Sequence, residues 1–106
     1  MDYKVIDYSK APKEVLDFLD KNKYFESQKI IHADDKTYVI ITRGQKKTGG
    51  YGLKVIGFEE YAEMILIKVK YIDPSPDTIT IQMITYPFII IELEKTNREI
   101  VVEIIK

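Results

Sequence analysis

The stretch 63-EMILIKVKYI-72 predicts the fold class, because its side chains follow a period of two. One set of alternate positions is apolar and consists of Ile65, Ile67, Val69 and Tyr71. The other set is more polar and consists of Leu66, Lys68 and Lys70. Successive side chains of a β-strand point to opposite faces of the sheet, so this pattern predicts a strand with one buried and one wetter face. We therefore expect an antiparallel sheet.

Other segments of the chain share this period and are rich in Ile, Val, Thr and Tyr, which favours strands. They are 37-TYVIITR-43, 51-YGLKVIGF-58, 78-TITIQMIT-85, 88-FIIIELEK-95 and 99-EIVVEIIK-106. Two weaker strand candidates are 4-KVIDY-8 and 29-KIIHA-33. Strands at intervals of roughly ten residues, with no helical segment between them, predict a β-sandwich or a strongly curled sheet.

The segment 9-SKAPKEVLDFLDKNK-23 carries the helical signal. Its apolar residues recur at helical spacing and are Val15, Leu16, Phe18 and Leu19. Because Pro12 suits a first helical turn, we expect a helix from Ala11 to Asn22 that packs its apolar stripe on a sheet. At 106 residues the chain is then a single domain, 1–106, of a mostly β (β-rich α+β) class.

The stretch 88-FIIIEL-93 is apolar enough to template strand pairing if it were exposed. We therefore expect it to be an interior strand, or an edge covered by the helix or by a second subunit. Ile89 and Ile91 should then be buried.

The charge balance narrows the classes of partner. Because 16 basic residues against 17 acidic ones leave a net charge of -1, no global field attracts nucleic acid. No apolar run approaches the ~18 to 20 residues that span a bilayer, so membrane insertion is not expected. The first residues, MDYKVIDYSK, lack the pattern of a signal peptide, and the sequence as written predicts a cytoplasmic protein. An extracytoplasmic location is expected if a leader has been removed.

The residue inventory argues against catalysis. The chain has no cysteine, and no motif places a nucleophile or a metal beside its one histidine, His32. The stretch 73-DPSPD-77 has the spacing of calcium ligands, but its prolines stiffen it and the closing glutamate is missing, which is typical of a rigid turn. We expect neither enzymatic activity nor a cofactor or metal site.

The stretch 43-RGQKKTGGYG-52 concentrates glycines and cations between two predicted strands. Gly44 and Gly49 bracket four residues, as in the phosphate loop G-x-x-x-x-G-K-[ST]. The match fails because Gly50 replaces the lysine, Tyr51 replaces the hydroxyl residue, and a strand follows in place of a helix. Nucleotide binding is therefore not expected.

Two interpretations of this stretch stay open. In the first, Thr48, Gly49 and Gly50 let the backbone reach positive φ in a tight connection between strands. In the second, the stretch is a recognition loop, because a large amphipathic ring, Tyr51, follows the turn, and Lys46 and Lys47 flank it.

The segment 85-TYPF-88 interrupts an apolar run, since Pro87 cannot donate to a strand ladder. It is either a sheet corner or a second exposed loop that carries Tyr86 and Phe88. Because glycine and proline both break regular pairing, we expect the TGGY and TYPF motifs to lie near each other at one end of the sandwich.

The order of these elements resembles the domain of the protease-complex subunit PrcB and its bacterial relatives. The pattern is strand, G-x-x-x-T-G-G-Y, two strands, a Pro-rich turn, strand, T-Y-P-[FY], strand. Here it is carried by Gly44, Thr48 to Tyr51, Pro74, Pro76, and Thr85 to Phe88, and it reaches from about Val39 to the C-terminus. Lys47 departs from the pattern, since many relatives have Pro there. The chain also has no cysteine for lipid attachment.

The resemblance implies a non-enzymatic β domain that associates with a secreted protease complex and is often found on exported lipoproteins. A fainter similarity links the chain to chagasin-type inhibitors of papain-like proteases, whose sandwich presents an N-P-T-T-G-[YF] loop to the target cleft. These resemblances imply a protein partner, namely a protease that is inhibited or stabilised.

The leading interpretation is a protein-interaction module that binds through the TGGY and TYPF loops. The expected partner-binding residues are Thr48, Gly49, Gly50, Tyr51, Tyr86, Pro87 and Phe88, with Lys46 and Lys47 on the rim. A homodimer is compatible with this interpretation. The alternative is a site for a peptide or a sugar that is lined by the same rings. A closed, concave pocket would favour that alternative, and protruding loops would favour a protein partner.

Overall fold

The computed structural model describes residues 2–106. The strands of this part of the chain are β1 (Tyr3–Val5), β2 (Glu26–Ala33), β3 (Lys36–Arg43), β4 (Gly52–Glu60), β5 (Met64–Ile72), β6 (Phe88–Glu94) and β7 (Glu99–Ile105). The α-helix, α1, covers Lys13–Asn22, after a 3₁₀ turn at Tyr8–Lys10. The prediction of a mostly β protein with a single α-helix is confirmed.

The strands form two sheets. The four-stranded sheet has the order β1-β6-β3-β2, and all of its pairs are antiparallel. The three-stranded sheet has the order β4-β5-β7. A two-residue turn joins β2 to β3, and both of its residues, Asp34 and Asp35, have positive φ, as the right-handed twist of a tight hairpin requires.

The expectation of a wholly antiparallel arrangement is wrong for one pair, because β5 and β7 run parallel. Met64 lies opposite Glu99, and Lys70 lies opposite Ile105. The chain leaves the three-stranded sheet after β5, forms β6 in the other sheet, and then returns as β7. Since the chain reverses twice, β7 has the direction of β5.

The main core lies between the two sheets. The alternate positions that the sequence predicts to be buried in β5 are indeed inside, with Ile65, Ile67 and Val69 fully buried. They belong to the same cluster as buried residues of β3 and β6, namely Val39, Ile41, Ile89, Ile91 and Leu93. β6 is an interior strand between β1 and β3, which confirms the expectation for the FIIIEL stretch.

Helix α1 covers the outer face of the four-stranded sheet. Val15 and Leu19 of the helix form a second buried cluster with Tyr38, Ile40 and Ile90. The helix begins at Lys13, two residues later than predicted, because Pro12 has an extended backbone (φ -69°, ψ 162°) and occupies the N-cap. It ends at Asn22 as predicted.

The strand predicted over residues 78–85 is wrong. Residues 73–87 connect β5 to β6 as an irregular segment, in which Thr85 makes an isolated bridge to Lys46. Its alternating Ile and Thr residues have strand propensity, but a strand also needs a neighbouring ladder. Pro74 and Pro76, at the start of the segment, have no backbone N–H to donate to such a ladder.

Candidate functional site

Four strand termini meet at one end of the sandwich. β3 ends at Arg43 and β5 at Ile72, whereas β4 begins at Gly52 and β6 at Phe88. We call this end, with the connections 44–51 and 73–87, the loop end. The TGGY motif lies in the first connection, and the TYPF motif ends the second connection and enters β6 at Phe88. The expected placement of both motifs at one end is confirmed.

Hydrogen bonds join the two motifs directly. Lys46 and Thr85 exchange backbone N–H to C=O bonds of 2.9 Å in both directions. The Thr85 hydroxyl donates to the Thr48 carbonyl at 2.9 Å, and the Arg43 N–H donates to the Pro87 carbonyl at 2.9 Å. The TGGY connection and the approach to β6 therefore form one hydrogen-bonded unit.

The most exposed apolar surface of the loop end lies on residues 79–84, which we call the apolar loop. Ile79 is 98% exposed and Ile81 69%, and Met83 and Ile84 are also more than half exposed. The Gly49 N–H donates to the Ile81 carbonyl at 3.0 Å, which ties the loop to the TGGY turn. A cluster of large exposed apolar side chains at one site is typical of a binding surface.

The sequence did not reveal the apolar loop, because its apolar and polar residues alternate as they do in a strand. The two prolines that precede it were the available signal, since they interrupt strand pairing. The polar residues between the apolar ones are small or uncharged, so the composition of the loop did not distinguish a covered face from an exposed one.

Gly50 brings the TGGY turn against the Pro-rich turn. Its φ is +91°, and a Cβ atom at this position would lie 2.8 Å from the Cβ of Pro74. Glycine is therefore required here both for the backbone conformation and for the close approach. Gly49 has no such constraint, because a Cβ there would meet no atom within 4 Å.

Arg43 connects the two sheets beneath these turns. Its side chain is buried, and Nη1 donates to the carbonyls of Gly52 (3.2 Å) and Ile72 (3.0 Å). Nη2 forms an ion pair with the Asp73 carboxylate at 2.8 Å. Nε is buried without a hydrogen-bond partner among the described residues. The guanidinium thus fixes the first residue of β4 and the last residue of β5 to the end of β3.

Two tyrosine rings flank this guanidinium. The Cζ atom of Arg43 lies 4.2 Å from the ring centroid of Tyr71 and 5.3 Å from that of Tyr51. Burial raises the pKa of the Tyr71 hydroxyl, the nearby Glu26 carboxylate raises it further, and Arg43 opposes the shift. The Tyr71 hydroxyl therefore stays protonated at neutral pH, and its contact with Arg43 is a cation–π interaction.

Tyr51 has a structural part in addition to any contact with a partner. Its half-buried ring lies against Arg43, and the Nζ atom of Lys46 lies 5.3 Å from the ring centroid. Lys46 is therefore folded over the ring, whereas Lys47 is exposed. Of the two predicted rim lysines, Lys47 is the one that projects into solvent.

Tyr86 and Phe88 lie on the helix side of the four-stranded sheet, away from Tyr51. The Tyr86 ring contacts the Tyr24 ring edge to face at 5.2 Å, and Lys23 Nζ lies 4.8 Å from its centroid. Phe88 is the first residue of β6 and packs, half-buried, against the helix cluster. The structure therefore does not bring Tyr51, Tyr86 and Phe88 together as one exposed set, because Phe88 belongs to β6 and packs against the helix cluster. Their contact with a partner stays a prediction.

A shallow crevice adjoins Tyr86. It has a volume of about 250 Å³ and is lined by Tyr8, Leu19, Asp20, Lys23, Tyr86 and Phe88.

 The volume of this crevice is below the ~300 to 1,000 Å³ typical of small-ligand sites. It is open to solvent on one side, so it does not enclose a ligand.

The described residues offer no metal site and no membrane-spanning helix. No cluster of three or more His, Asp or Glu side chains in residues 2–106 could hold a metal ion. No helix in this range is long and apolar enough to cross a membrane. His32, on β2, bonds through Nδ1 to the hydroxyl of Thr37 at 3.0 Å.

The substitution Tyr51→Ala removes the ring. It is expected to lower the free energy of unfolding by about 1–2 kcal/mol, because Arg43 and Lys46 lose a cation–π partner. Tyr51→Phe is the matched control, since it keeps the ring and should change stability by less than about 0.5 kcal/mol. Urea unfolding of both variants measures the difference. Equal stability of Tyr51→Ala and the wild type would mean that the ring does not support Arg43.

Comparison with known proteins gives one family. The family model described as PrcB C-terminal matches residues 37–94, which is more than half of the chain and runs from β3 to the end of β6. The matched range includes the whole loop end. No curated protein and no solved structure matches the chain. The chain belongs to the PrcB C-terminal family.

Proposed function

We propose that this chain is a non-enzymatic protein-interaction module that binds a protein partner through its loop end. The family suggests a domain associated with a protease complex, and we infer that the partner is a protease that the module stabilises or inhibits. The observation that carries the proposal is the apolar loop, which exposes four large apolar side chains at one site.

The support beneath the loop favours recognition by a preformed surface. The Gly49 N–H holds the Ile81 carbonyl, and the Thr85 hydroxyl holds the Thr48 carbonyl. A loop that is fixed before binding loses less conformational entropy when the partner arrives. Thr48, Gly49 and Gly50 therefore contribute as supports of the binding loop, and Ile79 and Ile81 contribute as its contacts.

The surface beside the apolar loop carries a charge of the kind found at the rim of a protein interface. Lys47 is exposed at the same end of the sandwich. A rim charge changes the rate of association and its salt dependence more than the rate of dissociation. Lys47 would steer an acidic surface of the partner electrostatically toward the loop end.

The alternative, a site for a peptide or a sugar, has one observation in its favour. Tyr86 and Phe88 do line a crevice, as that interpretation requires. The crevice is small and open, and the most exposed apolar surface of the loop end lies on the apolar loop. Both features favour a protein partner over a small ligand.

The experiment that tests the proposal is capture of partners from the source organism, followed by affinity measurement with a loop variant. The double variant Ile79→Ser, Ile81→Ser should keep the thermal midpoint of the wild type, because both side chains are exposed. Its affinity for a captured peptidase should fall by on the order of 2 kcal/mol, about thirtyfold.

The control variant is Tyr61→Ser. Tyr61 is 51% exposed and lies in the turn between β4 and β5, at the opposite end of the sandwich. It should leave the affinity unchanged. A captured partner that binds the double variant and the wild type equally would contradict a role for the apolar loop.

A further inference from the structure

The gap between the two sheets is filled to different extents along its two sides. On the β1 and β4 side, the rings of Tyr3 and Phe58 stack at 4.9 Å between the two sheets. On the β2 and β7 side, Ile30 is 39% exposed, although its neighbour across the ladder, Val39, is fully buried. The space between the sheets is therefore open along β2 and β7.

Two adjoining cavities follow this opening, which we call the seam. One has a volume of about 370 Å³ and is lined in part by Tyr71 and Ile104. The other has a volume of about 260 Å³ and is lined in part by Ile30, Ile100 and Val102. Apolar core residues of β7 thus reach a surface that solvent can enter.

The outer edge of β7 is unprotected. Among the described residues, β7 pairs only with β5, so its other edge presents free backbone N–H and C=O groups. The strand has seven residues, without a proline or a bulge. Edge strands of this kind are templates for pairing with another strand.

We propose that a second copy of this chain binds at the seam, with β7 paired antiparallel to β7 of the other copy and Val102 opposite Val102. Ile100, Val102 and Ile104 face the core. Because side chains alternate along a strand, the register must place these residues opposite one another. Ile100 then lies opposite Ile104, and both copies cover the seam with apolar side chains.

Charge selects this register over its neighbours. With Val102 opposite itself, Glu99 lies opposite Ile105, and Glu103 lies opposite Val101. A register with Val101 opposite itself would place Glu99 opposite Glu103. A register shifted the other way would place Glu103 opposite itself. Like charges opposite each other destabilise a strand pair. Beyond the ladder Arg98 comes opposite Lys106, but Arg98 is already paired with Glu60 at 2.9 Å.

Val101 gives a test that leaves the core unchanged, because it lies on the outer face of the strand. In the proposed dimer Val101→Glu faces Glu103 of the other copy twice, and it should weaken dimerisation at least tenfold. Val101→Lys faces the same glutamate with the opposite charge and should dimerise at least as well as the wild type. Sedimentation velocity of the full chain, at concentrations up to about 1 mM, measures both.

A cysteine scan tests the register separately, since the chain has no cysteine of its own. Val102→Cys should form a disulfide between copies under mild oxidation, and Glu99→Cys should not. A wild-type chain that stays monomeric up to about 1 mM, or equal dimerisation of Val101→Glu and Val101→Lys, would overturn the proposal. The loop end is not part of this interface, so its failure would leave the proposed function intact.

Discussion

Replacement of Arg43 by alanine is expected to lower the free energy of unfolding by about 3 kcal/mol, or roughly 15 °C in Tm. The change removes the donors to the carbonyls of Gly52 and Ile72, both at the junction of the two sheets. It also leaves a cavity between the rings of Tyr51 and Tyr71. Loss of hydrogen bonds and loss of packing therefore act in the same direction.

The matched control is Asp73→Asn, which removes only the ion pair. The Asp73 side chain is 66% exposed, so water replaces much of what its charge contributes, and a loss below about 1 kcal/mol is expected. Urea unfolding of both variants gives the comparison. If Arg43→Ala unfolded at the urea concentration of the wild type, the guanidinium would not be what joins the sheets.

Replacement of Gly50 by alanine is expected to lower the free energy of unfolding by about 2 kcal/mol. The new Cβ atom would lie 2.8 Å from the Cβ of Pro74, and an L-residue is strained at a φ of +91°. The backbone must shift to relieve the contact, which moves the Pro-rich turn and the apolar loop behind it. Affinity for a captured partner should fall together with stability.

Gly49→Ala is the control for this prediction, since it adds the same methyl group one residue earlier. No atom lies within 4 Å of that Cβ position, so stability should change by less than about 0.5 kcal/mol. Thermal unfolding and partner affinity are measured for both variants. Two equally stable alanine variants would show that the turn tolerates a side chain at Gly50.

The buried face of β5 could be predicted from the sequence, whereas the fate of residues 78–85 could not. Ile65, Ile67 and Val69 alternate with Leu66, Lys68 and Lys70, and the structure buries the first three. Ile79 and Ile81 alternate in the same way but are exposed. The difference is whether a neighbouring strand supplies a ladder, and that depends on distant parts of the chain.

The candidate site was predictable in position but not in detail. The glycines and the proline correctly placed TGGY and TYPF at one end, because both residue types interrupt strands. The separation of Tyr51 from Tyr86 onto two sides of a sheet depends on the geometry of the loops between strands. The role of Arg43 depends on β3, β4 and β5, which only the folded chain brings together, so no local sequence pattern predicted it.

The parallel pairing of β5 with β7 has a consequence for the kinetics of folding. The β2–β3 hairpin closes over a two-residue turn and needs only local contacts. The β5–β7 ladder joins Met64 to Glu99, so its contacts span the whole of β6 and the connections on either side of it. Contacts between such distant residues form slowly, on a time scale of milliseconds to seconds. We expect that, until β7 docks, one edge of β5 stays open to pairing with another chain, so aggregation during refolding should decrease as this ladder forms.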